Sequence, residues 1–184
     1  MPPSYREAMN EAERSGVRAL IDGWHHVPAV LRDRHLTVVA SNALARALSP
    51  SFAEGTNLAR FTFLDSASYE DERCWVETAE QVAAMLRDSL DQHEEDGPFR
   101  RLVGELSAKS ARFSRAWASE DRPEPTGAAT FVGTAAGDLR LQYRHLWVDE
   151  SHDDVLVVWH GDDPEAVGRL EALADLAEPP HQRT

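Results

Sequence analysis

The sequence predicts an α+β fold: a five-stranded antiparallel sheet with a large helical insert between strands 2 and 3. Three observations lead there. Two short apolar runs lie close together on either side of Asp33-Arg34. A helical apolar period then holds from 57 to 120. From 128 onward the period becomes two, in three successive runs.

Residues 1–16 are polar and punctuated by Gly16, and read as a flexible lead-in. Val17, Leu20, Ile21 and Trp24 then open a domain over 17–177 with one short amphipathic helix, leaving 178–184 as a tail. In "PAVLRDRHLTVVASN" the two apolar runs suit a tight hairpin turning at Asp33-Arg34, with Pro28 at the start of the first strand. Asn42 is placed to cap the helix "ALARALS", because its side-chain oxygen can accept an orphan backbone N–H.

In the helical half, Leu58, Phe61, Phe63 and Leu64 make one short element. Trp75, Ala79, Val82, Ala83, Leu86 and Leu90 fall on a single stripe of a longer helix. Gly97-Pro98 ends that helix and opens the next, whose face carries Phe99, Leu102, Val103 and Leu106. Ser110 is a fresh N-cap, so Phe113 and Trp117 belong to a short helix of their own, one turn apart on one face.

After "DRPEPTG" come three strands. In "DLRLQYRHLW" Leu139, Leu141 and Tyr143 face one way and Arg140, Gln142 and Arg144 the other. "ATFVGT" precedes this run and "VLVVWH" follows it, giving a meander with one wet face. A last helix starts at Asp162-Asp163-Pro164 and turns Val167, Leu170, Leu173 and Ala174 inward. The early hairpin and the late meander must share one sheet to cover their apolar sides, with the helices on one face. That order of elements is PAS-like.

Composition limits the function. The net charge is −13, and residues 70–96 hold ten acids against Arg73 and Arg87. Such a surface repels phosphate backbones, so direct nucleic-acid binding by this chain is not expected. A single cysteine, Cys74, excludes an internal disulfide framework and a cysteine-based zinc site. With no signal-peptide core and no apolar run of membrane-spanning length, a cytoplasmic protein is expected. No nucleophile elbow and no phosphate-cradling glycine loop occurs.

The enzyme-like residues are His152-Asp153-Asp154, His160 with Asp162-Asp163, and His25-His26. The first group lies in a hairpin loop and the second at a helix start, where acids serve as caps. No metal and no cofactor is therefore expected. Arg87, on the stripe helix among acids, either pairs with Asp91 one turn on or anchors an acidic headgroup at a pocket mouth. Trp75, Phe113, Trp117, Tyr143 and Trp159 serve equally as core or as the wall of an aromatic cavity.

The blocks "HLTVVASNALARAL", "NLARFTFLD", "CWVETAEQVAAMLRD", "FRRLVGELSAKSARFSRAWASED" and "DLRLQYRHLWV…DDVLVVWHGD", in this order and spacing, resemble the ligand-binding domain of MmyB-like transcription regulators. The similarity runs from about Val17 to Leu176. The chain departs from that family at Ser41, where a Trp is usual, and at Ser119-Glu120-Asp121, where a His often stands. The resemblance implies a PAS-like domain that normally follows a helix-turn-helix of the XRE type, which this sequence does not show upstream. It also implies a hydrophobic, fatty-acid-like guest between the helical face and the inner sheet.

The expected function is thus a non-enzymatic sensor domain that signals to a helix-turn-helix partner, with a homodimer as a further expectation. Its ligand-binding residues would be Asn42, Phe61, Trp75, Ala79, Arg87, Phe113, Trp117, Tyr143 and Trp159. The alternatives are a structural dimerisation module with a filled core and a small metal-dependent hydrolase.

Overall fold

The structure, a computed structural model, describes residues 5–65, 72–92, 95–119, 122–148 and 154–177, with the backbone alone for 5–10 and 72–74. A helix α1 (Tyr5–Asp22) leads into strands β1 (Ala29–Asp33) and β2 (Val38–Ser41). There follow α2 (Ala43–Leu48), a 3-10 turn at Pro50–Phe52, α3 (Leu58–Leu64), α4 (Glu72–Gln92), α5 (Gly97–Lys109) and α6 (Ala111–Trp117). Strands β3 (Thr126–Thr134), β4 (Gly137–Trp147) and β5 (Asp154–His160) and helix α7 (Pro164–Ala177) complete the chain. The five strands form one antiparallel sheet in the order β2-β1-β5-β4-β3. β5 joins the early hairpin to the late meander through Ala29↔Val158 to Asp33↔Asp154, the arrangement expected from the sequence.

Three elements differ from the sequence reading. α1 begins at Tyr5 rather than near Val17; its first turns carry few apolar residues, so no period announced them. The hairpin turn is longer than a tight pair. Asp33 Oδ1 accepts from the backbone N–H of His35 (2.9 Å) and Thr37 (2.8 Å), and Leu36 takes a left-handed conformation at φ 63°. That conformation strains a branched-chain residue by about 1–2 kcal/mol, offset because the Leu36 side chain is fully buried in the helical insert. Finally, Val167 is 41% exposed, and Ala166 takes its place on the buried side of α7.

The helices also cover both faces of the sheet, not one. Strand alternation sends Val30 of β1 and Val155, Val157 and Trp159 of β5 to an inner face with Leu139 and Leu141, where α2, Phe52 and α7 pack. Ala29, Leu31 and Leu156 point to the outer face, against Ile21, Val17 and Trp24 of α1. A bulge at Val39, between Arg32↔Val38 and Leu31↔Ala40, lets Val38 face inward while Ala40 faces outward. Arg14 fastens α1 to β5 by a two-bond fork to Asp154 (2.6 and 2.7 Å).

The insert has its own core. Ala59 and Phe63 of α3, the α4 stripe from Trp75 to Leu86, Phe99, Leu102 and Leu106 of α5, and Phe113 of α6 form a cluster separate from the sheet core. Leu58 packs against both. At the hairpin turn the two bodies meet through the buried Leu36 and through polar tethers. Ser89 Oγ donates to Arg34 O (2.7 Å), and His35 and Arg34 both pair with Asp96, the N-cap of α5.

Candidate functional site

An open cleft of about 480 Å³ lies between α4 and the end of α6, near the approach to β3. Ala84, Arg87, Asp88 and Asp91 of α4 form one wall. Trp117, Ala118 and Ser119 at the end of α6, with Arg122 and Pro123 leading to β3, form the other. Gln81 Nε2 donates to Glu124 O (3.1 Å), tying α4 to that approach.

Of the residues singled out in the sequence, Arg87 and Trp117 line this cleft. The Arg87 Nη2 donates to the carbonyls of Ala116 and Trp117 (3.0 Å each), and its guanidinium lies 5.4 Å from the Trp117 ring centroid. Arg87 therefore adds a charged donor to carbonyls at the end of α6. Trp75, Ala79 and Phe113 sit in the insert's core. Phe113 packs on Phe63 (5.0 Å, edge-on) and stacks on Trp117 (5.4 Å); the Trp75 indole N–H donates to Thr62 O (3.1 Å). Phe61 is half-buried on α3.

Tyr143 and Trp159 belong to the sheet core instead, where Trp159 packs against Phe52 at 4.9 Å. Asn42 is engaged throughout its amide. Its Oδ1 accepts from Ala45 N (2.9 Å) and Ala29 N (3.2 Å), and its Nδ2 donates toward Trp24 O (3.0 Å) and Val27 O (2.7 Å). It locks the end of α1, the start of β1 and the cap of α2 together. The nine residues thus divide among three places and do not form a single wall.

Two residues not singled out stand on the inner face of the sheet. Arg32 lies opposite Val38 and Val155 in the strand register and is only 6% exposed. Its Nε has no hydrogen-bond partner among the described residues. Burial pushes the guanidinium down to about 10, against the raising influence of Asp33, Asp88 and Asp154. His145 lies on the same face, opposite Val157 and stacked on Tyr143 at 5.3 Å.

Burial, with Arg32 nearby, pushes the His145 imidazole down to about 4. The unfolded chain takes up this proton near pH 6.5, the folded chain only near 4. The group's contribution is therefore whole above pH 6.5 and is lost as the pH falls toward 4. Chemical denaturation should show about 2 kcal/mol less stability at pH 5 than at pH 7 from this group, a difference absent in His145→Gln. The signal for both residues was in the strand period. The alternation that sets Leu139, Leu141 and Tyr143 inward continues to His145, and the one that sets Val30 inward continues to Arg32.

Among the described residues the enzyme-like clusters do not assemble. Asp163 Oδ1 caps α7 through Ala166 N (2.8 Å), and Asp162 Oδ2 accepts from Gln142 Nε2 (2.8 Å). His25 and His26 are exposed. No group of three or more metal-capable side chains gathers among the described residues; His152 and Asp153 lie outside them. No helix among the described residues is long and apolar enough to cross a membrane.

No curated protein matches the chain. A family model, the MmyB-like transcription regulator ligand binding domain, matches residues 14–173, a span that holds the sheet, the insert and the cleft. The family is one of regulator domains that bind a small molecule, which implies a sensor rather than an enzyme. Because that match covers most of the chain, the chain belongs to the MmyB-like transcription regulator ligand-binding domains.

Proposed function

We propose that this domain senses an elongated apolar molecule with an acidic head, of the fatty-acid class, taken up along the seam between α4 and the sheet. The observation that carries the reading is the separation of the insert's core from the sheet core, with a cleft of about 480 Å³ between α4, the end of α6 and the approach to β3. A body with its own closed core moves as a unit more readily than one whose core runs through the sheet. A guest that prefers one position of the insert shifts the population toward it.

The strained Leu36 turn and its Asp96 tethers are the natural pivot, since they connect β1 and β2 to α4 and α5. Movement there would be passed to a DNA-binding helix-turn-helix partner, or across a homodimer. The acidic α4 surface argues against this chain touching DNA by itself.

The test is a thermal-shift series with saturated carboxylic acids of eight to sixteen carbons, after delipidation. A guest at a hundred times its Kd adds about 2.7 kcal/mol, which raises Tm by roughly 5–10 °C at this size. Mass spectrometry of organic extracts from the purified protein should show a co-purifying apolar acid. No shift with any member, together with an empty extract, would leave a filled dimerisation scaffold as the better reading.

A further inference from the structure

We propose that Arg32 is the headgroup anchor of this sensor: its buried guanidinium receives the carboxylate of an acid-headed apolar guest on the inner face of the sheet, with His145 beside it. The inference rests on the proposed guest and adds the residue that would choose its head. An arginine is seldom buried unless it is paired. Here its strand neighbours on the inner face are Val38 and Val155, both core residues.

The nearby carboxylates are committed elsewhere. Asp154 is held by the Arg14 fork, and Asp33 accepts the two N–H groups of its own turn. Asp88, which lines the cleft, acts on Arg32 only through space. The unpartnered Nε leaves a donor whose fork geometry matches a carboxylate. An anionic head placed there would relieve the cost of an uncompensated buried charge. The imidazole of His145 offers a second polar contact, and the tail would follow the seam toward Ala84 and Trp117.

The experiment compares each acid with its primary alcohol, by calorimetric titration of wild type and Arg32→Met. Wild type should bind the acid about 10–100-fold more tightly than the alcohol, the range of one charge-assisted contact. The Met variant should bind both alike, at the wild-type alcohol affinity. Equal wild-type affinities for acid and alcohol, or an acid preference that survives in Arg32→Met, would overturn the anchor while leaving the apolar-guest reading intact. Binding of neither compound would overturn both. Should the Met variant not fold, Arg32→Lys keeps the charge but not the fork. An acid preference reduced several-fold then supports the anchor, and an unchanged one refutes it.

Discussion

Phe113→Ala should cost about 3–5 kcal/mol of stability, a large part of the ~5–15 kcal/mol available to a domain. The side chain is fully buried and touches aromatic rings from two directions, Phe63 edge-on and Trp117 in a stack. Removing it opens a cavity between α3, α4 and α6, whose neighbours are themselves held. The Trp75 indole is bonded to Thr62 O and lies under the Arg112 guanidinium at 4.5 Å. A site so braced relaxes little, and the cavity term stays near its full size. Urea denaturation of the delipidated protein is the measurement. A loss below about 1 kcal/mol would mean that Phe113 faces a chamber already empty, because truncating such a wall forfeits few contacts. The prediction therefore separates a filled helical core from a chamber lined by the same aromatics.

The fold was largely legible because its signals are local. Asn42 and Ser110 cap α2 and α6 through the bonds their side-chain oxygens were expected to make (Asn42 to Ala45 N, Ser110 to Phe113 N). The α4 stripe is buried at the residues its period names from Trp75 to Leu86, with Leu90 packed partly buried beside them. A five-stranded sheet with its insert follows once the two strand groups must share their apolar sides. What an apolar face meets is not local, and there the sequence fell short. Phe113 and Trp159 read alike as buried aromatics, yet one closes a helical core and the other a sheet core. For Arg87 helix spacing offered Asp91 as a partner or an acidic headgroup as a guest. Spacing could not show that it also donates to the carbonyls of residues 116 and 117, brought close by tertiary folding. Arg32 was passed over for the opposite reason. Arginine's ordinary place is the surface, and only the register with Val38 and Val155 turns it inward.

Arg32→Met should make the delipidated protein more stable, by about 1–4 kcal/mol, even though it removes the proposed anchor. Methionine fills much of the volume of the arginine stem and leaves no charge to desolvate. The residue's surroundings are apolar, and burial lowers its basicity despite three acids in reach. The balance there tilts against the ion. The same change removes one of the two causes that hold the His145 imidazole down. Its titration, followed by NMR of the ring protons, should move up from about 4 toward the ordinary value of 6.5. Stability gained together with acid preference lost is the signature of a charge kept for binding at a cost in folding. A destabilised Arg32→Met protein would show instead that the guanidinium is paired within the fold. Thermal and NMR measurements on this variant read its stability and the His145 titration, and the acid–alcohol comparison reads its binding preference.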